Sequence, residues 1–463
     1  MALRRENVGH IFRAYDIRGV YNEDLLPEFF VEIGLAAAER LGGECLVGMD
    51  VRASSPVLYE ALIAGLRAGG VKVLDAGTIP IGALLYGCCK MEEGFSAYVT
   101  ASHLPPEWNG VKFYFAGGLG VEPEDNYKLR DAFLKGNYKR LPWKGIGRRI
   151  RVDLLSEYLE FLSESFELKG LKVGLDCGNG ATVLTAPRAF RGAGASVKGV
   201  NCFIDPSFPG RGAEPRPENI KELSELVAGR GLDFGVAYDG DGDRGLFVDK
   251  EGRYLYPEEV VMIIIEGLKL RGTVVTTVDA SKVLEDYCHE RGLKLIRVPV
   301  GHNYVIRKVR EVEAVVGVEH SGHILVPGML DCGKPFAVDD ALWASMKFAE
   351  AYLQLGGSFK GFLPERYVYR SLKVGVGERE KARVVEWLKE KLTSMYGEVE
   401  TVDGVKVDLG DSWALVRPSN TEPVVRISVE AKEEGKASRL LEELRRLLEE
   451  AKGVDGNHPS RSG

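Results

Sequence analysis

The runs Cys45-Leu-Val-Gly-Met-Asp50, Leu171-Lys-Val-Gly-Leu-Asp176 and Thr273-Val-Val-Thr-Thr-Val-Asp279 share one pattern, an apolar stretch of buried-strand character that stops at an aspartate. Polar residues follow each run, and then a helical pattern: through Tyr59–Leu66, near Leu184–Phe190, and from Ala-Ser-Lys282 to Arg291. A further strand comes after each helix, at Val71–Asp75, Val197–Val200 and Lys294–Val298. Strand–helix–strand alternation predicts α/β units with largely parallel sheets. Three such units, spaced far beyond any solenoid repeat, predict a triplicated domain.

The order changes after Phe362-Leu-Pro-Glu-Arg366. Strands are expected at Leu372–Val376, Val405–Leu409, Trp413–Val416 and Val424–Val429, with helices at Glu380–Met395 and Ala437–Ala451. This reads as a smaller α+β domain with an antiparallel sheet. Leu440, Leu441, Leu444, Leu447 and Leu448 lie at helical spacing, so the last helix should pack one face on that sheet. Links at Leu141-Pro-Trp-Lys-Gly-Ile-Gly147 and near Lys250-Glu-Gly-Arg complete a division into 1–147, 148–252, 253–366 and 367–453. Residues 454–463, with Pro, Ser and Gly and no apolar pattern, are expected to be disordered.

At 463 residues the chain is too long for one core, in keeping with three or four domains. A net charge of −7 with no long basic run favours neither nucleic acid nor an anionic membrane as partner. The longest apolar run, Val260–Ile265, is interrupted by Glu266 and is too short for a bilayer. The start, Met1-Ala-Leu-Arg-Arg-Glu, lacks a signal-peptide core. Seven cysteines at irregular spacing, an odd number, point to free thiols in a reducing cytoplasm.

Chemistry concentrates in four loops. In Tyr98-Val-Thr-Ala-Ser-His-Leu-Pro-Pro-Glu-Trp-Asn-Gly-Val-Lys112 an apolar strand, Phe95–Val99, stops before Ser102 and His103. Pro105-Pro106 stiffen the exit, and Gly110–Phe115 reads as a second strand. A hydroxyl on a rigid turn beside a His and Lys112 suits an exposed nucleophile or a phosphate carrier, and also a plain polar turn. Val236-Ala-Tyr-Asp-Gly-Asp-Gly-Asp-Arg244 is sharper. Asp239, Asp241 and Asp243 alternate with glycines on a backbone free to curl, a donor set for a hard divalent cation. An EF-hand would need Gly where Arg244 stands and Glu where Lys250 stands. The haloacid-dehalogenase motif would need Thr or Val where Gly242 stands.

Val316-Gly-Val-Glu-His-Ser-Gly-His-Ile324 groups Glu319, His320, Ser321 and His323, hydrogen-bonding groups suited to sugar hydroxyls, with His323 a candidate proton carrier. A His-x-x-His zinc site has no evident third and fourth ligand. Val300-Gly-His-Asn303 puts His302 at a strand end. Val416-Arg-Pro-Ser-Asn-Thr-Glu-Pro423 offers Arg417, Ser419, Asn420 and Thr421 to a phosphate. Cys177-Gly-Asn-Gly-Ala-Thr-Val183 has Gly-x-Gly after a strand but Val at the third glycine position, which rules against a dinucleotide fold. Arg18, before Gly19, could simply pair with Asp16.

The four loops in this order, with Phe12-Arg-Ala-Tyr-Asp-Ile-Arg-Gly19, resemble the α-D-phosphohexomutases, nearest the phosphomannomutase/phosphoglucomutase branch. The resemblance runs to about Gly453. It implies three α/β domains and a smaller fourth around a central cleft, each giving one loop. It implies a phosphoserine at Ser102, and Mg²⁺ on Asp239, Asp241, Asp243 and that phosphoserine. Arg18, Lys112 and Arg244 would line the phosphoryl site, and His103 and His323 are further catalytic candidates. Glu319 and Ser321 match sugar-reading positions, and Arg417, Ser419, Asn420 and Thr421 the clamp for the substrate's own phosphate. Lys282 and His302 match further substrate-binding positions.

The activity so implied interconverts mannose or glucose 1- and 6-phosphates through a hexose 1,6-bisphosphate, with small sugar phosphates as the partners. Mannose and glucose differ only at C2, where glucosamine carries an amine, so the loops alone leave the hexose open. Two departures stand out: Leu104 where the family often has Asn, and Val318 where a Gly is usual. The rivals are a haloacid-dehalogenase-type phosphatase with Asp239 as nucleophile, which gives Ser102 no role, and a non-catalytic sugar-phosphate or ion-binding protein.

Overall fold

The computed structural model describes residues 8–359, 361–377, 380–419 and 424–453. The expected disordered tail, 454–463, lies outside them, as do Asn420 and Thr421. The described residues form two compact units, one within Met1–Arg271 and Ile306–Phe359, the other within Gly272–Val305 and Lys360–Gly463.

The first unit opens with a sheet of β1 (Asp16–Val20), β2 (Glu44–Met49), β3 (Lys72–Thr78), β4 (Phe95–Val99), β5 (Trp108–Phe115), β6 (Leu119–Gly120) and β7 (Arg149–Arg151). Their order is β1-β5-β4-β2-β3-β7, with β6 on β5. Strands β4, β2, β3 and β7 run parallel, as βαβ crossovers require, while β5 and β1 are antiparallel additions. Helices Pro27–Arg40 and Ser55–Ala68 bury Phe30, Ile33, Leu58, Leu62 and Leu66 against Val47, Val73, Phe95 and Phe113. Each such side chain contributes about 1.5–3 kcal/mol. The second helix starts four residues before the expected Tyr59, because Pro56 in a first turn gives up an N–H that has no helical partner there.

The next sheet has β8 (Lys172–Asp176), β9 (Ser196–Val200), β10 (Phe234–Tyr238), β11 (Gly245–Asp249) and β12 (Tyr254–Leu255), ordered β12-β11-β10-β8-β9. Again the crossover strands are parallel, and β11 and β12 are antiparallel. The run Val260–Ile265 sits in helix Pro257–Gly267, buried on all sides, which explains its unbroken apolarity. Among the described residues no helix is long and apolar enough to cross a membrane. In the second unit β13 (Thr273–Thr277) pairs parallel with β14 (Lys294–Val298). In the first unit β15 (Val316–Val318) pairs antiparallel with β16 (Ile324–Leu325), and β17 (Gly328–Met329) with β18 (Pro335–Phe336).

The second unit ends in an antiparallel sheet of β19 (Val368–Gly375), β20 (Val405–Asp408), β21 (Ser412–Pro418) and β22 (Val424–Ala431), ordered β19-β22-β21-β20. Helix Glu434–Gly453 packs Leu440, Leu444, Leu447 and Leu448 on its core, with Leu441 half-buried at the margin.

Each candidate loop connects two antiparallel neighbours: β4 to β5, β10 to β11, β15 to β16, and β21 to β22. Parallel neighbours need a long crossover, so short rigid turns are available only where the sheets switch direction.

Candidate active site

The serine loop is held from within. Ser102 takes the left-handed backbone, φ 52°, and is almost fully buried. Its N–H donates to Thr100 Oγ1 at 2.8 Å. The loop's carbonyls converge on Arg52, whose side chain is completely enclosed. Nη1 donates to the carbonyls of Pro105 and Trp108 at 2.6 and 3.1 Å, and Nη2 to those of Ser102 and Leu104 at 2.8 and 2.7 Å. Nε donates to Asp50 Oδ2 at 3.0 Å. Asp50, just past β2, also accepts from Ser55 and Thr100. Burial raises the Asp50 carboxyl above its usual range while Arg52 opposes the rise. Residue 104 enters this scheme through its carbonyl, so Leu104 in place of Asn leaves the cradle intact.

Sequence reasoning missed Arg52. Its signal was the first strand-end aspartate, Asp50, with an arginine two residues on, read above only as fold pattern.

The acidic turn joins β10 to β11. Its carbonyls at Gly240, Asp241 and Gly242 accept N–H bonds from Ala181, Ile81 and Ala341 at 2.9, 3.0 and 3.2 Å. Ile81 and Ala341 open helices Ile81–Lys90 and Ala341–Gln354, so two helix N-termini face the turn and favour its negative charge. Gly242 has φ 90°, and a Cβ there would stand 2.6 Å from Thr182 Cγ2. At Gly240 a Cβ would stand 2.5 Å from the Ser102 carbonyl. The alternating glycines thus let the turn curl and meet the serine loop.

The carboxylate oxygens of Asp239, Asp241 and Asp243 come within 4.8 Å of one another, all buried. Asp239 Oδ2 accepts from Ser102 Oγ at 3.0 Å, and its Oδ1 accepts from the N–H groups of Gly242 and Arg244. Lys112 Nζ donates to Asp241 Oδ2 at 3.0 Å and Asp243 Oδ2 at 2.8 Å. Burial, then Asp243 and Asp241, push the Asp239 carboxyl well above its usual range. Burial works against the Lys112 ammonium, but Asp241 and Asp243 outweigh it and hold its pKa high. The Lys112 ammonium and the Arg244 guanidinium still leave three buried carboxylates short of one positive charge, and Asp241 Oδ1 is buried with no hydrogen-bond partner among the described residues. An all-oxygen donor set of this charge fits a hard divalent cation.

Arg244, Arg18 and Lys112 all act electrostatically on His103, the neighbour of Ser102. Arg18 on β1 lies opposite Gly110 on β5, with Asp16 opposite Lys112, and Arg18 Nε pairs with Asp16 at 2.6 Å, the simple ion pair weighed above. His103 Nδ1 is 3.4 Å from Ser102 Oγ. Burial, then Arg244 and Arg18, drive the His103 pKa far down, so the ring is neutral. Arg244 Nε donates to His323 Nε2 at 2.9 Å, and His323 Nδ1 pairs with Asp339. Burial and Arg244 lower the His323 pKa to about 4. With both nitrogens engaged, His323 orients Arg244 in this arrangement.

In the β15–β16 turn Glu319 N–H donates to the His323 carbonyl at 2.9 Å, and the Gly322 carbonyl accepts from Gly245, linking this turn to the start of β11. Val318 is buried in β15 opposite Ile324. His320 turns aside to Glu258 at 3.0 Å and stacks on Tyr256, while Ser321 is exposed.

The phosphoglucomutase/phosphomannomutase family matches in all four parts: α/β/α domain I over residues 9–140, domain II over 153–252, domain III over 256–367 and the C-terminal domain over 372–447. The chain belongs to this family. The four matches together reach from residue 9 to residue 447. A phosphoglucomutase/phosphomannomutase of Thermococcus kodakarensis is 34% identical, covering 96% of this chain and 99% of the relative. A "Probable phosphoglucosamine mutase" of Methanopyrus kandleri is also 34% identical, covering 96% and 100%. The crystal structure of a phosphoglucomutase/phosphomannomutase family protein from Burkholderia thailandensis superposes with a TM-score of 0.84 at 28% identity, covering 97% and 99%.

The phosphohexomutase's remaining candidates lie on other elements. Lys282 opens helix Lys282–Arg291, with Nζ 3.4 Å from Glu285 and 3.5 Å from Asp408. His302 is the first residue of helix His302–Glu311. Arg417, on β21, has Nη1 3.8 Å from Asp403, and the Ser419 carbonyl accepts from Lys381 Nζ at 2.7 Å. Asp403, Asp408, Asp339 and Lys381 were not foreseen, because their partners are distant in sequence.

Proposed function

We propose that this phosphohexomutase interconverts the 1- and 6-phosphates of mannose and glucose through a phosphoserine at Ser102 and a hexose 1,6-bisphosphate. The observation that carries the reading is Ser102 Oγ, 3.0 Å from Asp239 in a buried acidic turn and held on a left-handed backbone by Arg52. In the first transfer the phosphoserine P–Oγ bond breaks and a bond forms from phosphorus to the free sugar hydroxyl, whose proton passes to an acceptor. His103 stands beside Ser102 as a neutral ring whose basicity is driven far down, so its part is to position the reacting oxygen and not to take that proton. After the bisphosphate has turned over, the other phosphate returns to Ser102 Oγ and the hydroxyl it leaves regains a proton. Arg18, Lys112 and Arg244 gather charge around the transferring group, where positioning and electrostatics do most of the work.

Asp239, Asp241, Asp243 and Ser102 would hold Mg²⁺, which when bound spreads the developing negative charge. Asp239 itself has both oxygens engaged by Ser102, Gly242 and Arg244, which argues against a nucleophilic aspartate. Glu319 and Ser321, with Lys282 and His302, would read the sugar. Arg417, Ser419, Asn420 and Thr421 would hold the phosphate that is not moving. In this reading each of the segments 1–147, 148–252, 253–366 and 367–453 gives one loop.

Intact mass of the purified protein, with peptide mapping, should place one phosphate on Ser102, and Ser102→Ala should stay folded while losing nearly all turnover. Phosphate on an aspartate of the acidic turn would sink the mechanism. A second reading, with glucosamine phosphate as the preferred substrate, is favoured by the Methanopyrus relative. Comparison of kcat/KM for the three 6-phosphates decides between them. A value for glucosamine 6-phosphate equal to or above the other two would select the second.

A further inference from the structure

Two cysteines outside the catalytic chemistry stand at adjacent strand ends. Cys177 follows β8 and Cys202 follows β9, parallel neighbours paired as Asp176 with Val200. Their Sγ atoms are 3.0 Å apart. The Asn179 N–H donates to the Asn201 carbonyl at 2.9 Å, and Asn201 Nδ2 donates to Asp176 Oδ1 at 3.2 Å, so the two loops are already tied. Gly199 makes room for the second sulfur, since a Cβ there would stand 2.7 Å from Cys202 Sγ. Cys177 is fully buried and Cys202 half-buried, which gives one thiol access to solvent and keeps the other behind it.

We propose that Cys177 and Cys202 form a reversible intramolecular disulfide that fixes the loop backing the acidic turn. The reaction is exchange with a small-molecule disulfide such as oxidised glutathione. The Cys202 thiolate attacks one sulfur, that S–S bond breaks, and one glutathione thiolate leaves. Cys177 then loses its proton and attacks the Cys202 sulfur, expelling the second glutathione. The protein gives up two electrons and two protons, and the oxidant ends as two thiols. The asymmetry of the pair suits these roles: hydrogen bonding from Cys177 pushes the Cys202 thiol down, while burial, then Cys202, push the Cys177 thiol well up. The cross-link would bear on the acidic turn, because Ala181 N–H holds the Gly240 carbonyl at 2.9 Å and Gly180 packs against Gly240. It does not depend on which sugar phosphate the enzyme uses.

The test uses the full-length protein in a series of glutathione redox ratios, followed by non-reducing digestion and mass spectrometry. The expected result is a peptide containing Cys177 linked to one containing Cys202, an intact mass about 2 Da lower, and reversal by dithiothreitol. Closing a loop with ends 25 residues apart should also raise Tm by at least about 3 °C. Cys202→Ser, a near-isosteric change at a half-buried site, should abolish both the link and the Tm rise. A stable glutathione adduct on Cys202 with Cys177 left reduced would overturn the proposal. So would no reaction at either residue, or a 2 Da loss that persists in Cys202→Ser.

Discussion

The Arg52 guanidinium donates to the Ser102 carbonyl at 2.8 Å while Asp50 fixes its other edge. A residue fifty positions upstream therefore sets the backbone angle at which the serine hydroxyl is presented. Lysine would keep the charge but lose the fork that serves the Ser102, Leu104, Pro105 and Trp108 carbonyls. Arg52→Lys should lower kcat roughly 100-fold with KM nearly unchanged, about 2.7 kcal/mol of transition-state stabilisation. Steady-state kinetics beside a thermal melt checks it. Loss confined to KM would mean that the fork positions substrate instead.

Removal of the cation should stop turnover, and Mg²⁺ should restore it. Asp241→Asn deletes one of three carboxylate charges, so calorimetric titration should show Mg²⁺ affinity down by at least about tenfold. Full activity in excess chelator refutes a metal role for the turn.

Arg417→Ala should cost roughly 2–4 kcal/mol in substrate binding, or about 30- to 1000-fold in kcat/KM. A mutase binds its substrate in two orientations, so the loss should be similar for 1-phosphate and 6-phosphate, and Ser102 phosphorylation should persist. An effect on one isomer alone would show that the two orientations use separate phosphate sites.

His323 predicts a pH dependence of stability. Its pKa is about 4 folded against 6.5 in the open chain. Between those values the unfolded chain binds the proton and the folded one does not. Stability is therefore intact above pH 6.5 and falls as pH drops towards 4, by roughly 3 kcal/mol in all. Burial raises Asp340 to about 6, with the opposite sign: its contribution is present at low pH and is lost as pH rises through 6. The wild-type profile therefore blurs the two. Denaturant titrations of wild type and His323→Gln at pH 7 and pH 4 should show the gap between them shrinking by that amount at the lower pH. A constant gap would contradict a neutral buried imidazole.

Much of this arrangement was legible in the sequence because it is local. The strand-end aspartates, the Asp-Gly-Asp-Gly-Asp turn and the leucines of helix Glu434–Gly453 all carry their message within a few residues. The parallel strands were read from the same alternation, whereas β1 was not read as a strand, since its partner β5 lies far along the chain and that pairing is non-local. Long-range partners were missed for that reason. Asp50 marks Arg52 as the partner of a strand-end aspartate but does not announce four carbonyls beyond residue 100, and nothing near His323 announces Arg244. The same holds for His323, a candidate proton carrier by type, whose two ring nitrogens meet Arg244 and Asp339 from other parts of the chain.

The left-handed backbone at Ser102 sets folding against function at a single position. A residue with a Cβ there costs about 1–2 kcal/mol, and glycine escapes that cost at the expense of a more disordered unfolded chain. Of two variants that both lack the hydroxyl, Ser102→Gly should therefore be more stable than Ser102→Ala by roughly 1 kcal/mol, which paired denaturant melts would measure. Selection for stability alone would drift this site towards glycine, and under the proposed mechanism it is the need for an oxygen that keeps a side chain in place.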